Sequence, residues 1–316
     1  MKAVFLDFDT VSAHDLDTSR LAASVDELVL HPIDEARVPE MLEGADVAFL
    51  NKVKLGRTLL TGAKKLRLVA LAATGTDNVD LAAARELGIA VCNVRAYCTA
   101  SVVQHVWALI LSLNQHVLQY SRMTSNGTWT RDESSTVLSH PIRELAGRIF
   151  GVVGYGELGR GTARVAEAFG MRVLVANRPG TPLAPGRVPL EQLLAESDII
   201  SLHCPLTEAT RGLIGSAEIK LMKKEALLVN TARGGLIDGV ALAAALRERR
   251  LGGAGLDVLG REPPPIDDPL LDPEIPNLLV TPHVAWAARE ARQRCIDEMA
   301  ANVRDFRSGG RRGRVV

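Results

Sequence analysis

The chain has no cysteine pattern that could staple or metallate it. Cys92, Cys98, Cys204 and Cys295 are scattered, with no C-x-x-C pair. This argues against a zinc site or a disulfide framework and fits a reducing, cytoplasmic setting. Net charge is also missing, because 37 Lys and Arg balance 37 Asp and Glu. No broad basic field invites nucleic acid or an anionic membrane, and Arg311, Arg312 and Arg314 read as a solvated end. Long apolar runs are absent too. The longest, 102–113, contains Gln104 and His105 and is too short to span a bilayer. The opening MKAVFLDFDT meets acidic residues too early for a secretion signal.

What is present is alternation. The 316 residues allow about two domains, and strand-like and helix-like segments alternate almost from end to end. Strands are expected at 3–7, 27–31, 46–50, 66–72 and 89–94, with helical stretches such as 34–43 and 79–87 between them. A second series is expected at 149–153, 173–176, 199–203, 226–230, 255–258 and 278–281. Such alternation implies parallel sheets with helices on both faces. Six strands match a complete double βαβαβ dinucleotide fold. A long helix, about 101–120, is apolar on more than one face and is expected to be buried between domains or subunits. The polar stretch 121–139, with Trp129, reads as a long loop, either an arm for a partner chain or an exposed excursion. The last helix, about 286–306, is spare to the second series and is expected to return to the first domain. The expected domains are therefore 1–98 with 285–316, and 99–284.

The most informative stretch is 148–177. A strand is followed by Gly154, Tyr155, Gly156, Glu157, Leu158 and Gly159, then by an amphipathic helix and a second strand. In that setting G-x-G-x-x-G is a dinucleotide fingerprint. The first glycine makes the turn, the second lets backbone approach a pyrophosphate, and the third lets helix and strand pack closely. The helix N-terminus then faces the phosphates.

Ligands of such folds gather at the carboxyl ends of strands. Three of those ends lead into Arg233, Glu262 and His283. A guanidinium can grip a carboxylate in bidentate fashion. A histidine moves protons near neutral pH, and a neighbouring carboxylate can orient it. Lys52, after a first-domain strand, meets either an anionic substrate or solvent. No metal-ligand cluster stands out.

Taken with segments 73–80, 202–207, 230–235, 256–263 and 281–283, the chain resembles the D-isomer-specific 2-hydroxyacid dehydrogenase family, and within it the glycerate dehydrogenases or hydroxypyruvate reductases. The resemblance implies two doubly wound parallel-sheet domains, with a Rossmann domain inserted in a smaller flavodoxin-like substrate domain. It implies NAD or NADP as cofactor, a small 2-oxo acid as substrate, and a homodimer. Arg233, Glu262 and His283 would be catalytic. Thr74, Gly75, Thr76 and Trp286 would join Lys52 at the substrate. Cofactor contacts would come from the fingerprint, from His203, Cys204, Pro205, Thr207, Thr231, Ala232 and Ala285, and from Asp257 at the carboxamide.

One position departs from the simple pattern. NAD enzymes of this fold carry Asp or Glu at the end of the second strand, against the ribose 2′-OH. Here Asn177 and Arg178 stand there, which favours NADPH or use of both cofactors. Two other functions stay open. A dinucleotide-binding redox sensor would use the same fold without turnover. The start 5–11 also resembles the D-x-D-x-[TV] loop of haloacid-dehalogenase-type phosphatases, with Asp7 and Asp9 as its acids.

Overall fold

Residues that alternate along the early strands go to opposite faces of one sheet. The computed structural model describes residues 1–132 and 135–316. In it β1 (Lys2–Phe5), β2 (Glu27–Leu30), β3 (Val47–Leu50), β4 (Leu68–Leu71) and β5 (Ala90–Cys92) pair in parallel, in the order β2-β1-β3-β4-β5. Ala3, Phe5, Val47, Phe49, Leu68 and Ala70 enter one apolar core with Ile296, Met299 and Val303 of the helix Arg289–Arg307. Val4, Ala48, Leu50, Val69 and Leu71 enter another. The period of two places alternate residues on alternate faces, and both faces are covered. This flavodoxin-like unit comprises Met1–Cys98 and Trp286–Val316, so the last helix belongs with the first strands.

The second unit, Thr99–Ala285, carries β6 (Ile149–Val153), β7 (Arg172–Val175), β8 (Ile199–Leu202), β9 (Leu227–Asn230), β10 (Gly253–Leu256) and β11 (Leu278–Val280). All are parallel, in the order β11-β10-β9-β8-β6-β7. The expectation that these six strands complete a double βαβαβ fold needs correction. The third strand of that fold is reduced to one residue, Val188, bridged to Ala176 beside β7. Val188 N–H donates to Val175 O at 3.0 Å, and Asn177 N–H donates to Val188 O at 2.8 Å. Pro189 follows, has no N–H, and cannot extend the ladder. With Val188 counted, the strand order reverses between β6 and β8, and β11 is an added edge strand.

The helix expected at 101–120 is two helices, Thr99–Asn114 and Val117–Ser125. The break falls at His116, which adopts a left-handed conformation (φ 50°). Its ring stacks on His140 with centroids 5.1 Å apart, and Asn114 Nδ2 donates to Arg143 O at 2.7 Å. The first helix is buried against its own unit's sheet, which accounts for its wide apolar surface. Trp107 stacks on Phe150 and Phe169, with centroids 5.6 and 4.9 Å away. Its Nε1 donates to Thr162 O at 3.2 Å. Such pairs add about 0.5–1.5 kcal/mol each beyond area burial. The stretch 121–139 is not all loop, because the second helix runs to Ser125 and Trp129–Arg131 forms a 3-10 turn. Within that stretch Glu133 and Ser134 lie outside the described residues. Among the described residues no helix is long and apolar enough to cross a membrane.

Candidate active site

The fingerprint forms a tight turn between β6 and the helix Glu157–Ala168. Gly154 takes φ +94°, and a Cβ there would stand 2.5 Å from Cys204 N. A Cβ on Gly159 would stand 2.1 Å from Gly154 O, so the helix could not seat against the strand. Gly156 differs: it is exposed, and a Cβ there would meet nothing within 4 Å. Two glycines are thus required by the fold, and the third keeps a surface clear at a helix N-terminus. At the end of β9, the Thr231 hydroxyl is buried with no partner among the described residues. Cleared backbone, a helix N-terminus and an unsatisfied hydroxyl at the carboxyl end of one parallel sheet fit a dinucleotide phosphate and ribose.

The end of β8, which lies between β6 and β9, continues this edge of the sheet. His203 Nε2 lies 2.9 Å from Ser201 Oγ, while its Nδ1 is buried without a partner among the described residues. Burial pushes this imidazole down to about 4, so it is neutral at pH 7. Burial also raises the Cys204 thiol, which is inert as a nucleophile. Thr210 Oγ knots the next turn, donating to Pro205 O at 2.7 Å and accepting Thr207 N–H at 2.8 Å.

Asn230, Leu256 and Val280 are aligned across β9, β10 and β11. Just beyond them the chain turns into Arg233, Glu262 and His283. Asn230, fully buried, ties the first turn. Its Oδ1 accepts Ala232 N–H at 3.0 Å, and its Nδ2 donates to Arg233 O at 2.9 Å. The Arg233 guanidinium donates to Ala232 O at 2.8 Å. A Cβ on Gly234 would stand 1.9 Å from Leu259 O, so the turns after β9 and β10 touch. Leu259 N–H in turn donates to Glu262 Oε1 at 3.0 Å. Glu262 Oε2 then lies 2.5 Å from His283 Nδ1. Both side chains are about one-third exposed, at 34% and 29%.

His283 itself stands in the left-handed region, at φ 57°, which is strained for a residue with a Cβ. Its turn is pinned by Asp257, which is 1% exposed. Asp257 Oδ1 accepts the Thr281 hydroxyl at 2.6 Å and Val284 N–H at 2.9 Å. Its Oδ2 accepts Ala285 N–H at 2.8 Å. His105 Nε2, from the helix Thr99–Asn114, lies 2.9 Å from Thr281 Oγ1. Ala285 O accepts Ser101 Oγ at 2.6 Å. The aspartate expected at a carboxamide therefore has much of its acceptor capacity committed to the histidine turn, a task that the sequence pattern did not reveal.

In the first unit, the exposed Lys52 lies on a turn clamped from two sides. Asp7, fully buried, accepts N–H from Asn51 at 2.9 Å, Lys52 at 2.6 Å and Val53 at 2.8 Å. Desolvation raises its pKa. Asn78 Nδ2 donates to Asn51 O at 3.1 Å and to Val53 O at 3.0 Å. Asn78 follows Thr74, Gly75 and Thr76, and the Thr74 hydroxyl donates to Val94 O at 2.7 Å. Trp286 packs partly buried against this unit's core. With its carboxylate committed to three backbone amides, Asp7 is a structural brace and not the nucleophile of a phosphatase loop.

At the end of β7, Asn177 turns its amide inward. Its Nδ2 donates to Thr181 O at 2.9 Å and Pro182 O at 3.2 Å, and its Oδ1 accepts Ala184 N–H at 3.2 Å. Arg178 is exposed. A second cation stands close by. Arg187 Cζ lies 4.8 Å from the ring centroid of Tyr155, inside the fingerprint.

Comparison with known proteins agrees with this architecture. Residues 107–285 match the family model for the D-isomer specific 2-hydroxyacid dehydrogenase NAD binding domain. The chain is 43% identical to a glycerate dehydrogenase of Methylorubrum extorquens over 86% of each chain. It is 35% identical to a hydroxypyruvate reductase of Blautia hydrogenotrophica over 98% of each. An acyclic imino acid reductase, solved with NADPH and D-Arg, superposes with a TM-score of 0.87 at 26% identity over all of both chains. A nicotinamide dinucleotide, NAD or NADP, is the cofactor that the second unit fits. The chain belongs to the D-isomer specific 2-hydroxyacid dehydrogenase family.

Proposed function

We propose that this oxidoreductase reduces small 2-oxo acids, with hydroxypyruvate and glyoxylate the leading substrates and D-glycerate and glycolate the products. The observation that carries the reading is the 2.5 Å pairing of His283 Nδ1 with Glu262 Oε2 past the strand end next to Arg233. The fingerprint loop and Thr231 would hold a nicotinamide dinucleotide, which in its reduced form would supply the hydride. With Nδ1 turned to Glu262, His283 Nε2 is the atom that gives a proton to the keto oxygen. Glu262, bonded to Nδ1, fixes the ring plane. Arg233 grips the substrate carboxylate and polarises the ketone. In the reverse direction neutral His283 is the base. Lys52, Thr74, Gly75, Thr76 and Trp286 are proposed as substrate contacts of the first unit. Because Asn177 stands where NAD enzymes place a carboxylate, with Arg178 next to it, NADPH or use of both cofactors is favoured over strict NADH use.

A homodimer and a cytoplasmic location belong to the same reading. Val117 and Leu118 of the helix Val117–Ser125, and Trp129, Leu138 and Ile142 beyond it, are exposed apolar residues, and they are proposed as apolar surface for a second copy. The deciding experiment is a panel of 2-oxo acids crossed with NADH and NADPH, followed by absorbance, with molar mass measured by light scattering. Turnover of hydroxypyruvate or glyoxylate is expected. Dinucleotide binding without turnover of any 2-oxo acid would favour a redox sensor instead.

A further inference from the structure

We propose that Arg187, together with Arg178, holds the 2′-phosphate of NADPH, and that Arg187 is the residue that sets preference for the phosphorylated cofactor. The proposal rests on the dinucleotide reading above and adds a residue that lies outside the fingerprint and outside the end of the second strand.

Three observations carry it. First, the residual third strand places Arg187 at the right edge. Val188 is bridged to Ala176, and parallel neighbours lie about 4.8 Å apart. Arg187 therefore lies level with Val175, the last residue of β7, one residue before Val188, whose O accepts Asn177 N–H at 2.8 Å. This is the corner where the fold places the adenosine ribose. Second, the guanidinium is held on the fingerprint side of that corner. It lies over the Tyr155 ring, 4.8 Å from its centroid, an arrangement that orients the cation while leaving its edge N–H groups able to bond. Third, the charge is uncompensated. Neither Arg178 nor Arg187 forms an ion pair among the described residues. Asn177, at the strand end, spends its amide on Thr181, Pro182 and Ala184. The sequence at the strand end offers two cations, Arg178 and Arg187, and no carboxylate. A dianionic phosphate ester is the group that such a pair recognises.

The same geometry gives Tyr155 a task. It is a positioning residue, the platform that keeps Arg187 at the ribose and out of solvent.

The test measures binding by calorimetry, with 2′,5′-ADP and ADP as probes and with NADPH and NADH as cofactors. Wild-type protein is expected to bind 2′,5′-ADP more tightly than ADP. Arg187→Ala is expected to weaken 2′,5′-ADP and NADPH by about tenfold or more, with ADP and NADH changed by less than about twofold. Arg187→Lys should fall between, keeping the charge but losing the planar fork. Tyr155→Leu should reduce the difference between NADPH and NADH in the same direction. Equal losses for both probes in Arg187→Ala, or no loss for either, overturn the proposal. A wild-type protein that binds NADH and ADP but not their 2′-phosphorylated counterparts overturns it while leaving dinucleotide use intact. Failure to bind any of the four overturns the cofactor reading itself. Thermal melts of each variant separate lost binding from lost fold.

Discussion

The carboxylate of Asp257 accepts the hydroxyl of Thr281 at 2.6 Å, and with that bond it holds the strained turn on which His283 stands. Two more N–H groups, of Val284 and Ala285, end on the same buried carboxylate. Removing it leaves the buried Ala285 N–H and the part-buried donors of Thr281 and Val284 without this partner, and a buried donor left unmet costs about 1–3 kcal/mol. Asp257→Ala is therefore expected to destabilise the protein by at least about 2 kcal/mol. It should also lower kcat even where the fold survives, because His283 loses its fixed position. Chemical denaturation and steady-state kinetics on the same preparation check both. A variant with wild-type stability and wild-type kcat would show that the turn is held by other means.

The fingerprint glycines should separate by experiment. At Gly159 an added Cβ would stand 2.1 Å from Gly154 O, so Gly159→Ala is expected to cost about 1–3 kcal/mol through overpacking. At Gly156 nothing lies within 4 Å, so Gly156→Ala should fold and melt as wild type while binding NADH and NADPH poorly. Melting temperature and dinucleotide affinity, measured for both variants, distinguish a glycine needed by the fold from one that keeps a ligand surface clear. Undiminished affinity in Gly156→Ala would move the pyrophosphate away from this loop.

The strands were legible because each is an apolar run bounded by turn residues, and all eleven form within a residue or two of the expected ends. Val188 was not legible: a strand of one bridged residue, followed by Pro189, leaves no pattern to read. The break at His116 was hidden for a related reason. The apolar period runs on through Val117, and no Gly or Pro marks the stop, so tertiary bonds from Asn114 and stacking on His140 decide it. The strand-end rule pointed to Arg233, Glu262 and His283 because each follows its strand by a few residues. The braces around them could not be read the same way. Thr281 and Asp257 are 24 residues apart, and His105 and Thr281 are 176 apart; no local spacing encodes such partners. Arg187 was missed because its meaning comes from a ring in another element, Tyr155.

Proton delivery is the most direct prediction for the proposed chemistry. His283→Ala removes the donor, and Glu262→Gln keeps a similar shape while removing the charge 2.5 Å from Nδ1. His283→Ala is expected to lower kcat/KM by at least about 10²-fold, the usual size of a general acid–base contribution. Glu262→Gln should lower it less, since the ring and its Nε2 remain. Combining the two should cost little more than His283→Ala alone, because Glu262 acts through the histidine. Additive losses in the double variant would assign Glu262 an independent role.

Acid should weaken the fold through His203. Burial depresses its pKa to about 4, against an ordinary value near 6.5 that the unfolded chain regains. Between those two values the unfolded state binds a proton that the native state does not, so stability falls as pH falls across this window. The loss levels off below about pH 4, where both states are protonated. At pH 7 and above the contribution is complete. His203→Asn removes the titrating ring, so its melting temperature should fall less steeply than wild type between about pH 6.5 and 4. The backbone of His203 also stands behind Gly154, whose added Cβ would meet His203 C at 2.6 Å. Because the native ring stays neutral down to about pH 4, dinucleotide affinity of the folded wild type should be insensitive to His203 across this window. Parallel melting slopes for the two proteins would mean that other groups govern acid unfolding.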